Sequence, residues 1–353
     1  MSQVNATGWF MSEPGKPLVK KEFTIDAPGA EEAIVKVAGC GLCHTDLTFL
    51  SGSVKTKYSQ PLVLGHEISG TVVAAGSAVS VLSGKKVIIP AVLPCGECEL
   101  CRAGRDNICQ AQKMPGNDFH GGFATHIKVP ARFLCELPDA LGAYKLEDLS
   151  VIADAVTTPY QSLVRSRLEK GDLALVIGTG GIGIYMVQHA RNAGAIVIAI
   201  DVDDGKLEQA KKMGATFVVN ARSLDQKALK NQIRSIVADN NLPKHKWKIF
   251  ETSGTAVGQD NAFNLMTFAS TVGMVGFTMD KLNVRLSNLM AFDADLFGNW
   301  GCRPALYAPV VKDVIAGRVN LQENIEKFPL SEINDVIEAS KSHKLKKRAI
   351  FVP

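Results

Sequence analysis

Leu173-Ala174-Leu175-Val176-Ile177-Gly178-Thr179-Gly180-Gly181-Ile182-Gly183 decides the fold. The five apolar residues at its start read as a strand covered on both faces, the usual state of a strand in a parallel sheet. Gly178 permits the tight turn out of that strand, Gly180 lets backbone approach a phosphate, and Gly183 allows the next helix to pack closely. A helix over Ile184–Ala193 then offers the unpaired N–H groups of its first turn, around Gly181 and Ile182, as an anion site. Asp201 closes the next strand, Ala195–Ile200, eighteen residues after Gly183. A carboxylate there accepts from both ribose hydroxyls of a dinucleotide and repels a 2′-phosphate, so NAD is expected over NADP. Asp203 and Asp204 strengthen that repulsion. Lys206 is either a ribose contact or a solvated lysine on a helix face.

Outward from this turn the pattern continues. A helix over Lys206–Met213 and strands at Phe217–Val219, Lys248–Phe250 and Thr271–Val275 alternate as in a doubly wound parallel sheet, assigned to residues 151–298. Residues 1–150 differ. Short β-branched runs, Glu32–Val37 and Ile68–Val73, are punctuated by Gly39, Gly65, Gly76, Gly84 and Gly96, which predicts a mostly-β domain with a long loop inserted at 94–119. Residues 299–353 return to that domain, ending in a strand at Arg348–Val352. A chain of 353 residues suits two domains.

Eight cysteines are present, and Cys95, Cys98, Cys101 and Cys109 fall within one loop, 94–110. Four soft thiolates satisfy tetrahedral zinc and leave no open position, so the site is expected to hold shape rather than do chemistry. An iron–sulfur cluster is the rival reading of the same four sulfurs. Arg102 and Arg105 favour thiolates nearby. Cys43 and His66, each beside a glycine turn, form a mixed sulfur and nitrogen pair suited to a catalytic zinc, which takes three protein ligands and keeps one position open.

Gly41-Leu42-Cys43-His44-Thr45-Asp46, Gly65-His66-Glu67, the four-cysteine loop and the glycine turn occur here in the order and spacing of the zinc-dependent medium-chain alcohol dehydrogenases, which this chain resembles over nearly its whole length. The resemblance implies an α/β protein with a GroES-like, mostly-β catalytic domain and a Rossmann dinucleotide-binding domain, two zinc ions per chain, and NAD-linked oxidation of an alcohol. It also implies individual roles. Thr45 takes the alcohol proton, His44 and Arg348 meet the cofactor pyrophosphate, and Thr158 lies beside the nicotinamide; for Arg348 an ordinary surface cation is the other reading. The family's third catalytic ligand is usually a cysteine. Here Asp154 occupies that place, within Ile152-Ala153-Asp154-Ala155-Val156-Thr157-Thr158. A carboxylate is an acceptable, harder zinc ligand. Glu67 is the alternative third or fourth ligand, a residue supporting His66, or one half of a structural ion pair, since buried acids are usually paired. Where some members carry a relay histidine, this chain has Thr48.

Pro94-Cys95-Gly96-Glu97-Cys98, Met114-Pro115-Gly116-Asn117-Asp118 and Gly121-Gly122-Phe123-Ala124 are similar to one branch, the 6-hydroxycyclohex-1-ene-1-carbonyl-CoA dehydrogenases of anaerobic benzoyl-CoA degradation. The expected substrate is therefore a small secondary alcohol, narrowed by that branch to an acyl-CoA thioester. A general or cinnamyl-type alcohol dehydrogenase, a zinc-free enone reductase and a non-catalytic cofactor-binding protein are the alternatives. Net charge is +4, and the basic residues are scattered apart from the run Lys341–Arg348. No recognition motif accompanies them, so nucleic acid is not an expected partner. No apolar stretch is long enough to span a membrane, and Met1–Phe10 lacks the charged and apolar regions of a signal peptide. A cytoplasmic homodimer or homotetramer is expected.

Overall fold

A computed structural model describes residues 3–353. Met1 and Ser2, the first residues of the amino-terminal stretch read above, lie outside them. The chain divides into two compact units. One comprises the described residues up to 157, with 301–317 and 321–353; the other comprises 158–300 and 318–320.

The second unit is built on a six-stranded sheet. Its order is Phe217–Asn220, Ile196–Asp201, Leu173–Ile177, Lys248–Glu251, Thr271–Met274, Asp295–Gly298. All neighbours pair in parallel. Numbered along the chain, this is the order 3-2-1-4-5-6 of a Rossmann sheet, with the strand order reversing beside Leu173–Ile177. That central strand is buried along its whole length, as its continuous apolar run requires. Leu175, Ile177, Ile198, Ile200 and Ile249 form a core with Leu229, Ile233 and Val237. Those last three lie four residues apart on one face of the helix Gln226–Asp239, which Asp225 caps by accepting from the Ala228 N–H.

The first unit is the GroES-like one. Its main sheet runs Ile325–Pro329, Arg348–Val352, Glu32–Gly41, Glu67–Ala75, Lys86–Ile89, Cys135–Glu136, with His126–Pro130 also paired to Glu32–Gly41. A smaller sheet orders Val19–Ile25, Val4–Met11 and Leu62–Val63. Ile34, Val35, Val37 and Cys40 of the central strand are buried. The carboxy-terminal strand pairs Ile350 with Gly41 and Phe351 with Cys40, which brings its first residue, Arg348, to the start of Glu67–Ala75. Among the described residues no helix is long and apolar enough to cross a membrane.

Candidate metal centres and cofactor turn

Cys43 ends the segment leaving the central strand and precedes the helix His44–Ser51. His66 follows Gly65, whose φ of +95° suits glycine. Asp46 joins the two. Fully buried, it accepts from the Cys43 N–H with Oδ2 at 3.0 Å and from the Gly65 N–H with Oδ1 at 3.1 Å. Its Oδ1 also stands 3.2 Å from His66 Nδ1. A carboxylate can only accept, so Nδ1 carries the proton and Nε2 presents its lone pair.

That lone pair faces Cys43 and Asp154. Asp154 Oδ2 lies 3.6 Å from Cys43 Sγ and 3.7 Å from His66 Nε2, and the three ligand atoms lie within 4.8 Å of one another. His66 Nε2 is buried without a hydrogen-bond partner, a cost of about 1–3 kcal/mol for a polar atom in a folded interior. A cation bonded to Nε2 removes that cost. Charge favours one as well. Burial lowers the proton affinity of the His66 imidazole, but Asp46, then Cys43 and Asp154, outweigh it and hold the pKa well above the ordinary value. One sulfur, one nitrogen and one carboxylate oxygen make a three-ligand set suited to zinc with one position left for a substrate.

Neighbouring residues fix Asp154 from both sides. The Tyr307 hydroxyl donates to the Ala153 carbonyl at 2.5 Å, and the Ala155 N–H donates to Glu67 Oε1 at 3.0 Å. Glu67 is thereby committed. Arg348 donates to its Oε2 from Nε at 2.7 Å and to its Oε1 from Nη2 at 2.5 Å. Glu67 stands outside the cluster of ligand atoms, and the reading of it as half of a structural ion pair is the one its contacts match, with Arg348 and the Ala155 amide engaging both oxygens. The reading of Arg348 as an ordinary surface cation is corrected, because its guanidinium is buried against Glu67, with 8% of the side chain exposed. Gly41 makes room for the pair, since a Cβ there would collide with Glu67 Oε2.

Thr45 Oγ1 stands 3.8 Å from Cys43 Sγ, beside the metal ligands. Thr48 donates its hydroxyl to the Thr45 carbonyl at 2.8 Å, which ties it to its own helix. His44, first residue of that helix, is exposed. The stretches Met114–Asp118 and Gly121–Ala124 buttress the His66 turn. Gly122 and Phe123 donate to the carbonyls of Gly65 and Leu64 at 2.8 and 2.9 Å, and a Cβ on Gly116 or Gly121 would strike the Leu64–Gly65 backbone.

The four-cysteine loop closes on itself. Its Sγ–Sγ separations are 3.9 Å for Cys95–Cys101, 3.5 Å for Cys98–Cys101, 3.7 Å for Cys98–Cys109 and 3.5 Å for Cys95–Cys109. Zinc–thiolate bonds of about 2.3 Å give a tetrahedron with edges of about 3.8 Å. The loop therefore fits one ion, and its sulfurs are too close together for a multi-iron cluster. N–H groups of Glu97 and Cys98 donate to Cys95 Sγ at 3.4 Å and lower its pKa to about 6, which favours the thiolate at Cys95, whereas burial raises the Cys101 and Cys109 thiols. Arg303 pins the loop through Asp106, Nε to Oδ1 at 2.6 Å. Replacing Cys98 with serine is expected to lower thermal stability and open residues 94–110 to protease while the Cys43 site keeps its metal. Melting curves and limited proteolysis check this, and an unchanged cleavage pattern would contradict it.

In the second unit the glycine turn has the expected form. Gly178 has φ +84°, and a Cβ on Gly183 would run into the Gly178 carbonyl. Gly180 faces open space. Among the described residues none accepts from the N–H groups of Gly181 or Ile182, which begin the helix Gly183–Asn192. Asp201 ends its strand beside this turn. Its Oδ2 accepts from the Thr179 N–H at 2.7 Å. The Lys206 side chain is exposed on the helix Asp204–Lys212, which Asp203 caps. Thr158 is buried, and its carbonyl accepts from Asn299 at 3.3 Å.

These features have counterparts in known proteins. Residues 29–139 match the alcohol dehydrogenase GroES-like domain, and residues 181–316 match the zinc-binding dehydrogenase domain. An alcohol dehydrogenase of Geobacillus stearothermophilus is 30% identical over 347 residues, covering 97% of each chain. The crystal structure of the alcohol dehydrogenase from the archaeon Aeropyrum pernix superposes with a TM-score of 0.87 at 28% identity, covering 98% of this chain and all of that one. A putative zinc-binding dehydrogenase from Sinorhizobium meliloti, bound to NADP, gives 0.88 at 25% identity over 99% and 100%. The two folded units and the thiolate and imidazole clusters define a zinc-type oxidoreductase. The chain belongs to the zinc-type medium-chain alcohol dehydrogenase family.

Proposed function

We propose that this enzyme oxidises a secondary alcohol to a ketone with NAD, using one zinc ion at Cys43, His66 and Asp154 and a second, structural one at Cys95, Cys98, Cys101 and Cys109. The observation that carries this is the buried, unpartnered Nε2 of His66, held toward a thiol and a carboxylate by Asp46. Zinc at these ligands supplies a Lewis acid that lowers the pKa of an alcohol hydroxyl. Thr45 stands beside the ligands, and its half-buried hydroxyl would accept the alcohol's proton while passing its own on to solvent. Asp46 fixes the imidazole tautomer and the Cys43 backbone. Glu67 and Tyr307 hold the segment that carries Asp154. In the other unit, the free N–H groups at Gly181 and Ile182 receive a pyrophosphate, and Asp201 receives the ribose. The nicotinamide supplies the hydride acceptor.

For the cofactor, the carboxylate of Asp201, with Asp203 and Asp204 following, favours NAD over a 2′-phosphorylated dinucleotide. For the substrate, the loop sequences around 94–98, 114–118 and 121–124 support a hydroxyacyl-CoA thioester of the 6-hydroxycyclohex-1-ene-1-carbonyl-CoA kind. The packing of 114–124 against the His66 turn favours the broader reading, a general secondary-alcohol dehydrogenase, because that packing accounts for these glycines without any substrate. We also infer a homo-oligomer. The edge strand Asp295–Gly298 carries the exposed Leu296, and Met290 and Trp300 nearby are exposed as well, a surface suited to a second copy of this chain.

A panel of simple alcohols, cinnamyl alcohol and cyclic hydroxyacyl-CoA thioesters, each assayed with NAD and with NADP, tests both halves of the proposal. NADH formation with secondary alcohols is the expected result. Turnover of the thioester at least about a hundredfold more efficient than that of any free alcohol, roughly 2.7 kcal/mol of transition-state discrimination, would select the narrow substrate. Equal efficiency with both cofactors would remove the assigned role of Asp201.

A further inference from the structure

Asp201 has all its acceptor positions filled from within the chain. Oδ1 accepts from the N–H groups of Val202 and Asp203 at 2.7 and 3.1 Å. Oδ2 accepts from the Thr179 N–H at 2.7 Å and from the Thr179 hydroxyl at 3.1 Å. A carboxylate offers about four lone-pair positions, so a ribose hydroxyl that donates to Asp201 must displace one of these four donors. Three are backbone amides held by structure. The glycine turn is anchored by the Gly178 N–H on the Ile200 carbonyl at 2.8 Å, and Asp203 caps the following helix through the Lys206 N–H. The fourth is a hydroxyl that swings about one side-chain torsion. It is the least costly to move.

We propose that the Thr179 hydroxyl competes with the cofactor for Asp201. It keeps Oδ2 satisfied and the carboxylate oriented until a ribose hydroxyl of NAD donates to that oxygen, and it then gives way. Thr179 therefore tunes NAD affinity from inside the glycine turn, at a position where the glycine pattern itself specifies nothing. The inference rests on the NAD reading above. A 2′-phosphate removes one of the two ribose donors and repels the carboxylate, so the ribose of NADPH is held off Asp201 and the Thr179 hydroxyl stays where it is.

Thr179→Val removes the hydroxyl and keeps the shape, Thr179→Ala does so with less bulk, and Thr179→Ser keeps the hydroxyl. Fluorescence titration of the full-length, metal-loaded protein with NADH and with NADPH reads the outcome without turnover. The valine variant should bind NADH about threefold to tenfold more tightly than wild type, the net worth of one hydrogen bond. NADPH affinity should not change, and the serine variant should match wild type. If the valine variant does not fold, the alanine variant gives the same readout. Unchanged or weakened NADH binding in the hydroxyl-free variants, in a protein whose wild type prefers NADH, overturns the competition and leaves the NAD reading standing. A wild type that prefers NADPH overturns both.

Discussion

Asp154→Ala should leave the protein with the four-cysteine ion alone, and turnover should fall by more than about a hundredfold. The magnitude follows from the ligand count. Changes to groups that merely support a metal ligand cost about 10- to 100-fold in affinity or activity, and the role proposed for Asp154 is that of a ligand, its Oδ2 lying 3.6 Å and 3.7 Å from the other two ligand atoms. With the carboxylate gone, Cys43 and His66 form a two-point site. Glu67 is held away from that role by Arg348 and the Ala155 amide, which engage both its oxygens, and it lies outside the cluster of ligand atoms. Asp154→Cys should keep the ion, since sulfur is a sound zinc ligand, and change the rate, since a thiolate leaves the metal less Lewis-acidic than a carboxylate does. Elemental analysis of protein never exposed to chelator separates these outcomes. An alanine variant that retains two ions would show that Asp154 is not a ligand.

How much of this was legible in the sequence depended on distance along the chain. The glycine turn and the strand Leu173–Ile177 were legible because local constraints fix them: an unbroken apolar run, then glycines at the positions that need them. The four cysteines were legible because their spacing alone brings the sulfurs together. The helix Gln226–Asp239 was not expected. Most of its residues are polar, and its signal is confined to Leu229, Ile233 and Val237 with Asp225 as cap. The strand Asp295–Gly298 was missed because it is four residues long and largely exposed. Its strand character comes from backbone pairing with Thr271–Met274. Asp46 was legible as a neighbour of Cys43, but its grip on Gly65 and His66 depends on a turn twenty residues away. The pairing of Glu67 with Arg348 was out of reach. The two stand 281 residues apart; Glu67 alone reads as a functional charge or as half of an ion pair with no partner named, and Arg348 as a cofactor contact or a surface cation. Only the register of the last strand against Gly41 brings them together.

That pair should be among the most sensitive points of the first unit. Arg348→Met leaves the Glu67 carboxylate in a fully buried position with no opposite charge, and breaking a buried pair in this way costs about 3–5 kcal/mol. The same substitution at an exposed pair such as Lys85 with Glu136 would cost under about 1 kcal/mol. The loss should also reach the metal. Glu67 follows His66 directly and accepts from Ala155, the residue after Asp154, so an unpaired carboxylate that shifts or takes up a proton loosens two of the three ligand-bearing segments at once. Adding Glu67→Gln to Arg348→Met removes the stranded charge while leaving an amide oxygen to accept from Ala155. The double variant should therefore recover most of the stability lost by the single one, and most of its catalytic metal. Denaturant unfolding of wild type, single and double variants, with metal content measured in parallel, decides the matter. A loss below about 1 kcal/mol in Arg348→Met would mean that water reaches the pair and that Glu67 does not depend on Arg348. A double variant as unstable as the single one would place the cost in lost packing around the guanidinium stem rather than in an uncompensated charge.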